Sequence, residues 1–104
     1  MRLRFTPEAA ERLERIREYL RDCGRDEAGR RLALEVVAMG RRLCAHPELG
    51  SAEAWMAYLG RGHRSMPVGK GKRHKIVYVV GEGEVTVTDV FDVRQDPGAM
   101  RGET

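Results

Sequence analysis

The chain has 104 residues, a formal net charge of +3 and 41% apolar residues. This length matches a single domain, which buries roughly two-thirds of the surface of its unfolded chain without help from metals or disulfides. No segment approaches the ~20 consecutive apolar residues that cross a bilayer, and the N-terminal residues lack the apolar core of a signal peptide. We therefore expect a cytoplasmic protein built around one core.

Positive charge is concentrated between Glu53 and Glu82, where no acidic residue occurs. The cations of this acid-free stretch are Arg61, Arg64, Lys70, Lys72, Arg73 and Lys75. Because the whole chain has 19 basic against 16 acidic residues, the distribution of charge is more informative than its sum. Such a stretch attracts phosphates or an acidic protein segment, and the attraction weakens as salt rises.

The first elements in chain order are a short strand and a helix. Residues 2–5 alternate basic and apolar side chains, as a half-buried strand does. Thr6-Pro7 is a helix start, with a hydroxyl N-cap and a proline at the first helical position. The following apolar residues recur at spacings of three and four and form one stripe: Ala9, Leu13, Ile16, Leu20 and Cys23. The opposite face, which includes Arg12 and Arg15, carries charges of alternating sign, and we expect it to be solvated.

A second helix is predicted from Asp26 to the break at His46-Pro47. One stripe of this helix consists of Leu32, Val36, Met39 and Leu43, and a second, smaller-residue stripe consists of Ala33, Val37, Gly40 and Cys44. Two apolar faces imply a helix sandwiched between other elements. The two cysteines, Cys23 and Cys44, would lie about a helix length apart in an antiparallel pair, so we expect reduced core residues.

The second half of the chain is predicted to consist mainly of strands. Residues 48–60 show no clean period and predict either a short helix or an irregular connection. Residues 64–68 are predicted to form a strand, and Gly81-Glu82-Gly83 is predicted to join two apolar strands, 76–80 and 84–94, as a hairpin. In the last strand we expect one face of apolar residues interrupted by Asp89, and a polar outer face; the apolar residues are Val85, Val87, Phe91 and Val93.

Residues 95–104 are polar and contain Gly and Pro, so we expect a frayed tail after a single domain of residues 1–94. The predicted order is β-α-α-β-β-β. This order indicates an α+β fold in which a helical hairpin packs on one face of a small antiparallel sheet.

At this level the chain resembles the RelE/ParE superfamily, the small toxins of type II toxin–antitoxin (plasmid stabilisation) modules. The resemblance is carried by motifs along nearly the whole chain: F-T-P-E-A-A-E-R-L-E-R-I-R-E-Y-L, H-P-E-L-G, R-S-M-P-V-G, K-I-V-Y-V-V and V-T-V-T-D-V-F-D-V-R-Q-D-P. The segment Arg64-Ser65-Met66-Pro67-Val68-Gly69 is similar to the ParE branch in particular. That branch implies a growth inhibitor that binds DNA gyrase without being an enzyme.

The alternative within the superfamily is a RelE-like, ribosome-dependent mRNA endoribonuclease. Such a reaction needs an activated 2′-hydroxyl and cations that stabilise the charge developing on the phosphate. The resemblance places Arg94 and Lys75 in those cationic roles, and His74 would be the general base. The expected lysine positions fall near Met66 and Val68, which cannot supply charge, so we favour the ParE branch.

The resemblance also implies a ParD-like antitoxin whose acidic, amphipathic segment folds on the toxin in a hetero-oligomer. We expect gyrase or antitoxin to contact the cations Arg61, Arg64, Lys70, Lys72, Arg73, Lys75 and Arg94, and the antitoxin to face the helix surface Ala33, Val37 and Gly40. The histidines His63 and His74 lack metal-ligand spacing, so we expect no metal and no cofactor. A nucleic-acid-binding module and a structural subunit remain alternatives, although a structural subunit does not need the acid-free stretch.

Overall fold

In the computed structural model, which describes residues 1–103, five strands form one sheet and two helices form a hairpin. The strands are β1 (Arg2–Phe5), β2 (Ser51–Ala52), β3 (Arg64–Val68), β4 (His74–Gly81) and β5 (Glu84–Asp92). The helices are α1 (Pro7–Asp22) and α2 (Asp26–Ala45), and 3₁₀ helices cover Ala54–Leu59, Lys70–Lys72 and Pro97–Ala99. The segment 48–60 is therefore a two-residue strand followed by a 3₁₀ helix.

The strand order in the sheet is β1-β5-β4-β3-β2. All neighbouring pairs are antiparallel except β1 and β5, which run parallel with Leu3 beside Val85. The predicted α+β fold with a helical hairpin on one face is confirmed. The sheet is mixed rather than purely antiparallel, because the N-terminal strand joins the last strand in the parallel direction.

A β-bulge in β5 changes which side chains share a face. Val77 of β4 pairs with Asp89, but its neighbour Tyr78 pairs with Val87, so Thr88 is an extra residue in β5. As a result Val90 joins Val85 and Val87 on the helix side, and Phe91 packs on the opposite side. The prediction that Phe91 shares a face with the first two valines is wrong because strict alternation ends at the bulge.

The sheet has a core on each face. The helix-side core contains Ala9, Leu32, Val36, Leu43, Val68, Ile76, Tyr78, Val85, Val87 and Val90. On the other face, the buried side chains of Met56, Val77, Phe91 and Met100 pack with Leu59. The expected polar outer face of β5 is thus wrong, because the 3₁₀ helix Ala54–Leu59 and the C-terminal residues cover it.

The C-terminal residues 95–103, here named the C-terminal strap, pack against the sheet. Met100 is 6% exposed, and Gly102 is buried. A Cβ placed on Gly102 would collide with the sulfur of Met56 and lie 2.8 Å from Leu59 Cδ1. The expectation of a frayed tail is therefore wrong for residues 95–103, and its last residue, Thr104, lies outside the described residues.

The helical hairpin follows the sequence signals closely. Thr6 caps α1 by accepting a hydrogen bond from the amide of Ala9 at 3.1 Å. Both cysteines are free, but Cys23 is exposed rather than buried, because it caps the end of α1, while Cys44 is half-buried. Neither helix in residues 1–103 has the length and apolar character needed to span a membrane.

Candidate functional site

A cleft lies where the helical hairpin meets the end of β4 and β5 at which His74 and Asp92 pair. It consists of two adjoining cavities of about 580 and 240 Å³ that share four wall residues, Tyr19, Leu20, His74 and Arg94. Residues from both helices, from the turn after β3 and from the strap complete its walls. We call the two cavities together the cationic cleft.

Positive charge dominates the lining of the cationic cleft. Its cations are Arg12, Arg15, Arg25, Arg31, Lys70, Arg73 and Arg94, against the two acids Glu35 and Asp92. Three of these cations pair with acids, at Glu11, Asp89 and Asp92. The other four make no ion pair with any described residue. Their charge is available to an anionic partner.

The floor between these cations is apolar. Ile16, Leu20 and Val90 line the larger cavity, and Ala28 and Leu32 line the smaller one. The ring of Tyr19 is 67% exposed at the junction of the two cavities. An apolar floor with a cationic rim matches an amphipathic segment that has acidic residues along its polar side.

Arg94 and His74 are the two predicted catalytic residues that meet in this cleft. Arg94 forms a two-pronged ion pair with Asp92, with Nε at 3.1 Å from Oδ1 and a terminal nitrogen at 2.9 Å from Oδ2. This pair lowers the pKa of Asp92 and raises that of Arg94. Burial lowers the pKa of His74, although the carboxylate of Asp92 acts in the opposite direction. His74 is therefore biased toward its neutral form.

Lys75 lies on the opposite face of the sheet from this cleft. Its register partner is Phe91, and its ammonium donates a hydrogen bond to the buried carboxylate of Glu53. Burial acts to raise the pKa of Glu53, but the hydrogen bonds from Lys75, the Trp55 amide and Ser65 outweigh it, so the pKa is lowered. The predicted trio of Lys75, His74 and Arg94 is thus not assembled, because adjacent residues of a strand point to opposite faces.

Arg64 donates hydrogen bonds to the loop between α2 and β2. Its Nε donates to the carbonyl of Gly50 at 3.0 Å, and a terminal nitrogen donates to the carbonyl of Glu48 at 3.2 Å. Arg61 lies near His63 and contributes to lowering its pKa, after the larger effect of burial. Neither arginine lines the cationic cleft, so the structure does not group them with Arg94.

One residue of the predicted helix surface, Gly40, needs correction, and the role of the other two stays a prediction. A Cβ on Gly40 would lie 2.9 Å from both methyl carbons of Leu3, so Gly40 is covered by β1 and is not exposed as predicted. Ala33 and Val37 are half-buried and lie outside the cleft. Among the loop cations, Lys70 and Arg73 line the cleft, whereas Lys72 is exposed beside it.

The model of one protein family, described as “ParE toxin of type II toxin-antitoxin system, parDE”, matches residues 3–97. The chain belongs to this ParE toxin family. The predicted resemblance is thereby confirmed, and it covers β1 through the first residues of the strap.

A search of solved structures agrees with this assignment. A structure described as “Chromosomal ParDE TA system from P. aeruginosa” matches with a TM-score of 0.70 and 17% identity, over 88% of this chain and 95% of that chain. At this identity the likeness shows a shared fold. No curated protein matches the chain significantly.

Four cleft arginines of this ParE-family chain belong to the helical hairpin and are not predicted from the sequence: Arg12, Arg15, Arg31 and Arg25, which is the N-cap residue of α2. The alternating charges of α1 predict a solvated face for Arg12 and Arg15. A signal was present, since Arg12 lies four residues before Ile16 of the apolar stripe and therefore borders the buried face. The sequence does not show that residues of the strap and the sheet form a cleft along this edge of α1.

The cationic cleft is chemically suited to bind an anionic, partly apolar ligand. Burial lowers the pKa of His74 and so favours its neutral form, and Arg94 is ion-paired with Asp92. Within residues 1–103, no group of three His, Cys, Asp or Glu side chains is arranged to hold a metal ion.

Proposed function

We propose that this ParE-family chain is a growth-inhibiting toxin that acts by binding DNA gyrase rather than by cleaving RNA. The carrying observation is the separation of Lys75 from Arg94 and His74 by the sheet. General acid–base cleavage of RNA requires its base and its cations to converge on one phosphate. Here one cation is held by the buried Glu53, and the other is bound by Asp92.

The ribonuclease remains a second candidate because His74 and Arg94 do line one cavity. A neutral imidazole can accept a proton, and a guanidinium can stabilise a phosphate charge. This pair would need Arg94 to exchange Asp92 for a phosphate. The two activities are therefore to be measured side by side.

We further propose that a ParD-like antitoxin neutralises the toxin by placing an acidic, amphipathic segment in the cationic cleft. The four cations without ion pairs and the apolar floor support this choice of surface. It replaces the small-residue face of α2, where Gly40 is covered by Leu3. Toxin and antitoxin would form a hetero-oligomer in the cytoplasm, where gyrase acts.

The test is expression of the chain from a repressed promoter, alone and together with the product of the adjacent gene. We expect growth arrest in the first case and growth in the second. Purified protein is then added to a gyrase supercoiling assay and, in parallel, to a ribosome-primed mRNA cleavage assay. Normal growth in the presence of soluble, folded protein would contradict the proposal.

Arg94→Ala tests whether the cleft carries the activity. Arg2→Ala is a matched control, because Arg2 also forms an exposed ion pair at 2.9 Å, with Glu84, at the other end of β5. We expect Arg94→Ala to weaken gyrase inhibition about tenfold, as loss of a charged contact does, and Arg2→Ala to leave it unchanged. Cleavage of mRNA that disappears in Arg94→Ala would support the ribonuclease instead.

A further inference from the structure

The C-terminal strap joins the two faces of the sheet at one buried carboxylate. Asp89 is fully buried, beside the β5 bulge. Its Oδ2 accepts a hydrogen bond from the backbone amide of Arg101 at 2.8 Å. Its Oδ1 has no hydrogen-bond partner among the described residues, and Arg12 Nε lies 3.6 Å away. A buried carboxylate is costly unless partners compensate it, so this residue depends on the strap and on α1.

Arg12 connects the same three elements from the helix side. Its side chain is 17% exposed, and besides the contact with Asp89 it donates to the carbonyl of Ala99 at 3.0 Å and to Gln95 Oε1 at 3.4 Å. A single guanidinium therefore ties α1 to β5 and to two points of the strap. The planar group with its five N–H donors suits such multiple contacts.

Arg12, Gln95 and Ala99 are also wall residues of the cationic cleft. The contacts that fasten the strap are thus the contacts that build one side of the cleft. Further along, the strap is fixed by Met100 in the second core and by a hydrogen bond from His63 Nε2 to the carbonyl of Gly102. The strap is thus fixed at several points between Gln95 and Gly102, and Arg12 fastens it at the cleft.

We propose that Arg12 and Asp89 are positioning residues of the cationic cleft, which clamp the C-terminal strap in place as one of its walls. They act through the strap and not by contacting a partner. The inference rests on the proposed function only in taking the cleft as the binding site. It assigns to a buried, charged pair a role in shaping that site.

The clamp is tested on the purified chain alone, with Arg12→Gln and Asp89→Ala as the disrupting variants. Arg15→Gln is the matched control, because Arg15 lines the same cavity from the same helix but pairs with Glu11 of its own helix. The position of the strap is monitored by hydrogen peroxide oxidation of Met100, a strap residue that is 6% exposed because it packs in the second core. Met1, which is 54% exposed, is the internal reference within each sample.

We expect the ratio of Met100 to Met1 oxidation rates to rise about tenfold or more in Arg12→Gln and Asp89→Ala, since each loses contacts to a charged group. The ratio should not change in Arg15→Gln. Arg12 is only partly buried on the helix surface, so its variant keeps the test available if Asp89→Ala does not fold.

Hydration of the cleft is monitored by NMR titration of His74, whose pKa is lowered chiefly by burial. Opening of the strap wall hydrates the imidazole, so its pKa should rise toward the ordinary value in both disrupting variants. These variants change the local charge in opposite directions, so a rise in both reports hydration and not electrostatics. A merely destabilising substitution would leave the His74 titration of the folded protein unchanged.

Two results would overturn the clamp. One is a Met100 that stays as protected as in wild type in the folded variants. The other is a Met100 that becomes reactive while the His74 titration does not move, which would show that the strap is not a wall of the cleft. Neither measurement uses gyrase or an antitoxin, so failure of the proposed function and failure of the clamp are separate outcomes.

Discussion

Replacing Lys75 by methionine should destabilise the protein. It should not abolish toxicity, because Lys75 has a structural and not a catalytic role. The ammonium of Lys75 is the only cation paired with Glu53 among the described residues. The Glu53 side chain is 4% exposed, so water cannot solvate its carboxylate when Lys75 is removed. Methionine keeps the apolar stem of lysine as far as Cε but leaves the carboxylate unpaired.

The magnitude follows from the remaining contacts. Breaking a buried ion pair by removing one partner costs about 3–5 kcal/mol. Glu53 still accepts a hydrogen bond from the Trp55 amide at 3.2 Å, and the Lys75 side chain is 22% exposed. We therefore expect a loss of about 2–3 kcal/mol of unfolding free energy. In a domain with roughly 5–15 kcal/mol of stability this lowers Tm by roughly 10–20 °C.

The contribution of Glu53 to the pH dependence of stability should have opposite signs in the wild type and in Lys75→Met. In the wild type the folded-state pKa of Glu53 lies below its ordinary value of 4.5. Its contribution to stability is therefore present above about pH 4.5 and is lost as the pH falls through the folded-state pKa. Without Lys75, burial dominates and raises the pKa. The variant should then lose stability as the pH rises through that higher value.

The assay is urea unfolding followed by circular dichroism from pH 4 to pH 8, together with growth arrest on expression. The double variant Lys75→Met/Glu53→Gln should recover most of the lost stability, because the unpaired charge is gone, and should remain toxic. A Lys75→Met protein with wild-type stability that no longer arrests growth would refute this reasoning and place Lys75 in the functional site.

Three further expectations concern the folded core. Gly50→Ala should lower the unfolding free energy by about 2–4 kcal/mol in urea denaturation, since its Cβ would lie 2.6 Å from the hydroxyl of the buried Tyr78; a wild-type midpoint would mean that the loop moves aside freely. Tyr78→Phe should cost about 1–2 kcal/mol, because that hydroxyl donates to the Pro47 carbonyl at 2.8 Å and accepts from the Gly50 amide at 3.0 Å. Burial lowers the pKa of His63 and His74 below 6.5, so the stability they contribute is present above about pH 6.5 and is lost as the pH falls through the folded-state values; calorimetry of a variant lacking both imidazoles should show a flatter decline from pH 7 to pH 5.

Local signals in the sequence determined the elements of the fold. The Thr6-Pro7 start of α1, the break at His46-Pro47 and the glycine-bounded hairpin turn depend on neighbours a few residues away. Together with the order of motifs, they were sufficient to predict the α+β fold and the ParE resemblance. They also identified Arg94, His74, Lys70 and Arg73, which the structure brings into one cleft.

Tertiary structure decided the rest, because it depends on contacts between distant parts of the chain. The bulge at Thr88 reversed the face of Phe91, and one residue of difference along β4 placed Lys75 and His74 on opposite sides of the sheet. The pairing of Arg12 with Asp89 spans most of the chain and turns a polar tail into a cleft wall. Sequence period fixes which residues are neighbours along an element, but only the folded chain determines what covers each face.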